Sequence, residues 1–262
     1  MNPINTKPYI LPPVATWLIT GCSSGIGQAL AALVATTPNH RLIATARNPA
    51  DLDYLPDDDV NLLKLALDVT SPTSVKEAFK AATAYFGEDF HLDVLVNNAG
   101  YSLSGDTESA TEEQAHQEIE TLFFGHAYYH AGKWAVEGWT ESVAREMHPD
   151  WNINFCIVEP SGVQTNFEGH SKARTEPHPA YAEKDMPARV LERYVEMGIK
   201  SGTLTKPSAI ADAIFGIASS KKRIPLRVPL GEPAWGFIKQ KHETCLRDLE
   251  GVKDLSLLVF KT

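Results

Sequence analysis

Uninterrupted apolar runs alternate with amphipathic stretches along most of the chain. Continuous apolar runs are typical of strands buried on both faces, and the stretches between them repeat at helical spacing. We therefore predict strands at 16–20, 40–46, 60–69, 91–96, 152–158 and 224–230, and helices at 25–37, 71–86, 111–124, 128–147, 208–219 and 233–249. This alternation predicts an α/β protein whose parallel sheet is covered by helices on both faces.

The same pattern locates the segments outside the sheet. The proline-rich residues 1–13 are predicted to be a loose N-terminal arm, and 14–262 to be a single domain. The polar stretch 167–187 contains Pro177 and Pro179, so we expect a mobile loop with short helical pieces there. Pro225 and Pro229 confine the last predicted strand to an edge of its sheet, because proline cannot donate a ladder hydrogen bond.

Composition excludes several classes of function. Acidic residues exceed basic ones to give a net charge of −9, which argues against a nucleic-acid surface. The three cysteines are widely spaced and odd in number, which fits a reducing compartment. The histidine pairs lack the further ligands that a metal site needs. No apolar run approaches a membrane span, and the N-terminus lacks a signal-peptide pattern. We expect a cytoplasmic protein with no metal, nucleic-acid or membrane partner.

A glycine-rich turn, Thr20-Gly-Cys-Ser-Ser-Gly-Ile-Gly27, follows the first predicted strand and leads into the first helix. A helix N-terminus offers unpaired N–H groups and the positive end of its dipole, and glycines let a diphosphate approach the backbone. A plain turn is the alternative, since glycine also serves in ordinary turns. Other segments of the chain are needed to distinguish a nucleotide-binding loop from a plain turn.

Three further segments make the chain resemble the short-chain dehydrogenase/reductase family over nearly its whole length. They are Asn97-Asn-Ala-Gly100 after the fourth strand, Tyr129-His-Ala-Gly-Lys133, and the segment from Pro160 to Thr165; Arg227-Val-Pro-Leu-Gly231 is a looser match to the hydroxysteroid-dehydrogenase-like branch. The resemblance implies a Rossmann-like, doubly wound, three-layer fold. It also implies a cofactor site formed by Gly21, Ser23, Ser24, Gly25, Ile26, Gly27, Arg47, Asp68, Asn97, Lys133, Val163 and Thr165.

The residue about 20 positions past the turn indicates which nicotinamide cofactor binds. An acidic side chain there holds a ribose 2′-hydroxyl, whereas an arginine suits a 2′-phosphate. Arg47 stands at this position and no Asp or Glu occupies 45–48, which favours NADP over NAD. A solvent-facing arginine at a strand end is the alternative. The resemblance places Asp68 beside the adenine, and the alternative for Asp68 is a carboxylate that caps the helix beginning at Ser71-Pro72.

The resemblance makes Tyr129 and Lys133 the catalytic pair. They are four residues apart on a predicted helix, so both side chains project from one face. A tyrosine with its ordinary pKa of about 10 is a poor acid–base group at neutral pH, but a neighbouring ammonium favours the phenolate and lowers that pKa. Tyr129 would then exchange a proton with the substrate oxygen. An ordinary aromatic–lysine pair on a surface helix is the alternative.

The chain departs from the family between Gly100 and Tyr129, where only 28 residues stand. The family has a long helix and a further strand there, and the strand ends in a catalytic serine. Here we predict one helix and no strand, so one central strand of the sheet is missing. Leu122 aligns with the family's helix asparagine and cannot hydrogen-bond, and Ser102 or Ser104 would be weak substitutes for the serine.

The junction lies between Gly125 and His126. Its abruptness suggests the loss of an internal segment, either real or through an error in the gene model. Without that strand, the strands at 91–96 and 152–158 must pair directly or leave open edges.

Three functions are consistent with the sequence. The first is an NADP-dependent oxidoreductase that interconverts a small-molecule alcohol with a ketone or aldehyde. The second is a catalytically impaired NADP-binding homologue. The third is a different nucleotide-dependent enzyme, such as a sugar epimerase, which the modest length disfavours. Family members commonly form homodimers or homotetramers, so we expect one of these states.

Overall fold

Four parallel strands form the main sheet of the computed structural model. They are β1 (Thr16–Ile19), β2 (Arg41–Ala46), β3 (Leu62–Ala66) and β4 (Val94–Val96), in the order β3-β2-β1-β4. The structure describes residues 4–87, 90–100, 102–104, 126–166, 172–174, 176 and 178–258. All four residues of β1 are buried, as its uninterrupted apolar run predicts.

Helices cover both faces of this sheet, which confirms the predicted three-layer α/β fold. On one face α1 (Gly25–Thr36) packs beside α5 (Pro207–Ser219), and the ring of Trp17 stacks on Phe215 with 5.5 Å between ring centroids. On the other face α2 (Pro72–Phe86) contributes Ala82 to a smaller cluster. Helix α2 begins as its sequence indicates: the Ser71 hydroxyl accepts a hydrogen bond from the Ser74 N–H, and proline occupies the first turn.

The remaining strands form two separate pairs. Strand β6 (Ile157–Pro160) pairs in parallel with β8 (Arg227–Leu230), and β5 (Ser102–Ser104) pairs in parallel with β7 (Lys172–Arg174). Among the described residues no strand pairs with the outer edge of β4, and the Leu95 side chain there is 49% exposed. Within the described residues, this edge of the sheet is therefore unpaired where the family's central strand was predicted to be missing.

Four further helices complete the described chain. They are α3 (His126–Glu146), α4 (Pro187–Ser201), α6 (Glu232–Gly251) and α7 (Lys253–Leu258). Within the described ranges, no helix combines the length and the apolar character that crossing a membrane requires.

Several sequence predictions are wrong in detail. Helix α4 was not predicted, and neither was β5, which occupies part of the interval in which we expected no strand. The strand predicted at 152–158 begins only at Ile157, because Asn152 adopts a left-handed conformation with φ of 51° and turns the chain. The helix predicted at 111–124 lies outside the described residues.

The N-terminal arm is docked rather than loose over its described part. The buried Asn5 amide donates hydrogen bonds to the carbonyls of Phe155 (2.6 Å) and Ile224 (2.8 Å), and its Oδ1 accepts one from the Phe155 N–H (3.0 Å). The Tyr9 hydroxyl donates to the Asp93 carbonyl, just before β4. The arm thus contacts both the main sheet and the start of the β6–β8 pair, a role that local sequence gave no sign of.

Candidate active site

The glycine-rich turn joins β1 to α1 at the carboxyl edge of the main sheet. Gly21 and Gly25 have φ of 71° and 62°, which other residues rarely adopt. Gly27 is buried in the first turn of α1, where an added Cβ would overlap the Gly21 carbonyl oxygen and lie 2.5 Å from Asn98 Nδ2. These three glycines therefore have steric reasons to be glycine, which favours the nucleotide loop over a plain turn.

The first turn of α1 remains open to an anion. Ser24 is the N-cap residue and its side chain makes no capping hydrogen bond, and the first turn carries no acidic residue. Ser23 is exposed in the turn and Ile26 is half-buried. Backbone N–H groups without a side-chain cap, at the positive end of the dipole, are what a diphosphate group needs.

The Asn97–Gly100 segment is tied to this turn by its second asparagine. Asn98 Nδ2 donates to the carbonyls of Thr20 (2.8 Å) and Gly21 (3.1 Å), while the N–H groups of Asn98 and Ala99 donate to the Thr20 hydroxyl, each at 2.9 Å. The predicted residue Asn97 is exposed directly after β4. The sequence motifs include Thr20 and Asn98 but predict no role for either. The available signal was a buried threonine at the end of a strand.

The segment after β6 comes next to the turn from the other side. Val163 forms a parallel bridge with Thr205, and the Gln164 N–H donates to the Thr205 carbonyl at 2.8 Å. This backbone pairing places Thr165 close enough to Gly25 that an added Cβ there would lie 3.1 Å from Thr165 Cγ2. A cavity of about 200 Å³ opens beside the segment, lined by Val163, Gln164, Thr165, Asn166, Ile199, Gly202 and Leu204.

Arg47 and Asp68 lie past the ends of β2 and β3, and both side chains are exposed. Asp68 Oδ1 accepts hydrogen bonds from the Thr70 hydroxyl (2.7 Å) and N–H (2.9 Å). These bonds lower the pKa of the Asp68 carboxyl, and the positive charge of Arg47 lowers it further. The alternative role of Asp68 as a helix cap is wrong, because Ser71 caps α2. Arg47 and Asp68 are thus close enough to interact electrostatically at the edge where an adenosine would lie.

Tyr129 and Lys133 fall one turn apart in the first two turns of α3, as the spacing predicted. Lys133 is half-buried. The side chain of Tyr129 lies outside the described residues, so its predicted role stays a prediction. Ser102 and Ser104 lie on β5, and their side chains are likewise outside the description.

The fold and the open helix N-terminus define an α/β protein with a dinucleotide-type site at the carboxyl edge of a parallel sheet. A family model described as short chain dehydrogenase matches residues 15–128. Oxidoreductase calM of Penicillium decumbens is 53% identical over 98% of this chain and 97% of its own length. An uncharacterized oxidoreductase of Schizosaccharomyces pombe is 34% identical over 94% and 92%. The chain therefore belongs to the short-chain dehydrogenase family, whose oxidoreductases use nicotinamide cofactors.

A solved structure agrees with this assignment. The chain resembles a short-chain dehydrogenase from Streptomyces avermitilis with a TM-score of 0.78 and 27% identity, over 94% of this chain and 98% of that one.

The alignments also bear on the missing segment. The alignment with oxidoreductase calM runs over 295 positions, 33 more than the 262 residues of this chain, so at least that many positions of the relative have no counterpart here. The alignment with the Schizosaccharomyces pombe relative runs over 283 positions, 21 more than this chain has. Both excesses agree with an internal segment that the relatives have and this chain lacks.

Proposed function

We propose that the chain is an NADP-dependent oxidoreductase that interconverts an alcohol with a ketone or aldehyde. The observation that carries the proposal is the glycine turn, in which Gly21, Gly25 and Gly27 are held by Asn98 and Thr165 around an uncapped helix N-terminus. An ordinary turn needs none of these close approaches. The residues present therefore fit a dinucleotide.

Each predicted cofactor residue has a role in this proposal. The backbone from Gly21 to Gly27, with Ser23, Ser24 and Ile26, would hold the diphosphate at the start of α1. The Arg47 guanidinium would pair with a 2′-phosphate, and Asp68 would lie beside the adenine. Asn97, Lys133, Val163 and Thr165 would hold the nicotinamide half. Bound NADPH would supply a hydride to the substrate carbonyl.

Tyr129 would give its hydroxyl proton to the substrate oxygen during reduction and take it back during oxidation. The ammonium of Lys133, one helical turn away, would favour the phenolate and so bring the pKa of the tyrosine toward working pH. The half-buried position of Lys133 supports this role, because a charge acts more strongly where less water screens it.

Two neighbouring tyrosines allow a matched test of the reaction. NADPH absorbance should fall with a suitable carbonyl substrate, and Tyr129→Phe should reduce turnover by about 100- to 10,000-fold, the usual contribution of a general acid. NADPH should still bind to that variant. Tyr128→Phe is the control and should keep its activity. Equal losses in the two variants, or folded wild-type protein inert on a broad carbonyl panel, would contradict the proposal.

The choice of NADP rests on Arg47 and has its own test. Arg47→Asp should weaken NADPH binding about tenfold or more, because it replaces a phosphate partner with a repelling carboxylate, and should improve the relative affinity for NADH. Arg223→Asp, an exposed arginine elsewhere, is the control for the change in net charge. If Arg47→Asp leaves the ratio of the NADPH and NADH affinities unchanged, Arg47 does not determine the choice between the two cofactors.

A catalytically impaired NADP-binding homologue is the second candidate. Two observations favour it: no described strand pairs with the outer edge of β4, and the relatives have an excess of aligned positions. A missing preorganised donor such as the family's serine reduces the rate by about 100- to 1,000-fold. This candidate predicts a thermal shift with NADPH and no measurable turnover in the same preparation.

A further inference from the structure

Helix α3 is joined to the β6–β8 pair by a group of charges, Arg227, Glu137, Glu141 and Glu159, here called the Arg227 cluster. Arg227 on β8 donates a hydrogen bond from Nη1 to Glu137 Oε2. The same nitrogen lies 3.5 Å from Glu159 Oε1 on β6, and Nη2 lies 3.9 Å from Glu141 Oε2. One guanidinium therefore contacts carboxylates from a helix and from the neighbouring strand.

Stability alone does not account for this arrangement. Arg227 faces three carboxylates; Glu141 is also paired with Arg145, but the side chains of Glu137 and Glu159 are only 19% and 20% exposed. Half-buried like charges repel one another, and desolvation of a buried ion pair often cancels its Coulombic gain. Fixing one structural element in register against another is the best-attested use of such groups.

The position of the cluster connects the two halves of the candidate active site. Glu137 is one turn beyond Lys133 and two turns beyond Tyr129 on α3. Arg227 pairs in register with Ile157 at the start of β6, and β6 leads into the segment that holds Thr165 against Gly25. The cluster thus links the helix of the catalytic pair to the strand that leads to the cofactor turn.

A small rotation of α3 about the Arg227 cluster would displace Tyr129 by a much larger distance than it displaces the cluster itself. Eight residues of helix separate Glu137 from Tyr129, about 12 Å at the rise of an α-helix. A tilt of about 5° about Glu137 would therefore move the backbone of Tyr129 by about 1 Å, and a misplacement of that size can reduce a rate about 100-fold. Because no described strand joins β4 to β6, this link matters more here than in an unbroken sheet.

We propose that Arg227 is a positioning residue that sets the placement of Tyr129 and Lys133 by fixing α3 against β6 and β8. The proposal rests on the proposed function for its catalytic part. It acts through Glu137, and Arg227 itself contacts neither substrate nor cofactor.

The kinetic test is a double-mutant cycle. Arg227→Met and Glu137→Met should each lower kcat by about 10- to 100-fold. The Kd for NADPH should rise by a smaller factor, since the diphosphate turn is not touched and, of the proposed cofactor residues, only Lys133 lies on α3. The double variant should be no slower than the slower single variant. Arg227→Lys, which keeps the charge, should recover part of kcat. Lys80→Met is the control, because Lys80 pairs with Glu77 within α2 and neither residue belongs to the Arg227 cluster, and its kcat should be unchanged.

A second readout separates this inference from the proposed function. Amide hydrogen exchange of the peptide 126–146 should become at least about tenfold faster in Arg227→Met, and that of residues 16–46 should not change. Unchanged exchange in 126–146 overturns the link whether or not the wild type turns over. Faster exchange with unchanged kcat, or additive losses in the cycle, overturns the positioning role. Glu137→Met removes the same hydrogen bond and lowers the excess negative charge of the Arg227 cluster. If Arg227→Met fails to fold, the same measurements on Glu137→Met test the proposal. A wild-type protein without activity would overturn both the proposed function and the positioning role of Arg227. Amide hydrogen exchange would still show whether Arg227 fixes α3 against β6 and β8.

Discussion

Thr20 and Asn98 bind each other through both backbone and side chain. The Thr20 hydroxyl accepts from the Asn98 N–H at 2.9 Å, and Asn98 Nδ2 donates to the Thr20 carbonyl at 2.8 Å. The same hydroxyl also accepts from the Ala99 N–H and donates to the Val96 carbonyl. The end of β1 and the end of β4 are thereby fixed to each other at the point where the cofactor turn begins.

Thr20→Val tests this junction with a side chain of the same shape. The variant leaves the Ala99 N–H without the Thr20 acceptor and the Asn98 N–H with only the Val96 carbonyl at 3.1 Å, and an unsatisfied buried group costs about 1–3 kcal/mol. We expect the free energy of unfolding to fall by about 2 kcal/mol and the Kd for NADPH to rise. Urea unfolding and cofactor fluorescence measure the two effects. Thr20→Ser keeps the hydroxyl and should remain near wild type; an equal loss in both variants would show that the methyl group matters instead.

Gly27→Ala tests whether the turn depends on close backbone approach. The new Cβ would overlap the Gly21 carbonyl oxygen, so the turn or α1 must shift. We expect a loss of about 1–3 kcal/mol in the free energy of unfolding and at least tenfold weaker NADPH binding.

Gly216→Ala is the matched control for that substitution. Gly216 lies within α5, and nothing stands within 4 Å of the position of its Cβ. Alanine is the better helix former by about 1 kcal/mol, so this variant should unfold at higher urea concentration and bind NADPH normally. Normal NADPH binding by Gly27→Ala would contradict the proposal that the glycine-rich turn binds the cofactor diphosphate.

The sequence predicted the elements whose signals are local. Helix α2 has Ser71 and Pro72 at its start and Gly87, with φ of 93°, at its end, and both boundaries were predicted. The glycine turn was predicted for the same reason. Helix α4 was missed because the preceding prolines suggested a loop, although Val190, Tyr194 and Met197 recur at helical spacing. The docking of Asn5 depends on partners about 150 and 219 residues away, for which no local pattern exists.

Asn5→Gly tests the docking of the N-terminal arm. Asn5 has φ of 51°, so glycine keeps the backbone unstrained and removes only the side-chain hydrogen bonds. The Phe155 N–H would lose the acceptor that Asn5 Oδ1 provides. We expect the free energy of unfolding to fall by about 1–3 kcal/mol. Asn39→Gly, at an exposed left-handed position with φ of 67°, is the control and should change stability little. An unchanged urea midpoint for Asn5→Gly would mean that the arm contributes nothing to folding.

Glu159 is the member of the Arg227 cluster whose charge should reduce stability. Burial raises the pKa of its carboxyl and the charge of Glu137 raises it further, against the lowering effects of Arg227 on β8 and of Lys241 and His242 on α6. Within the described part of the chain, its Oε2 has no hydrogen-bond partner. A group whose pKa is raised on folding stabilises the protein while it is protonated, and this contribution is lost as pH rises through the folded-state pKa.

Glu159→Gln should therefore raise the free energy of unfolding at pH 7 and lose that advantage as the pH falls through the raised folded-state pKa toward about 4, where an unfolded glutamate is itself protonated. Urea unfolding at a series of pH values from 4 to 8 gives the difference between variant and wild type. Glu183→Gln removes an exposed carboxyl outside the cluster and should give no such trend. A variant less stable than wild type at pH 7 would show that the attraction of Arg227 outweighs both the burial of Glu159 and its repulsion by Glu137. A difference that does not change with pH would show that Glu159 has the same pKa in the folded and unfolded states.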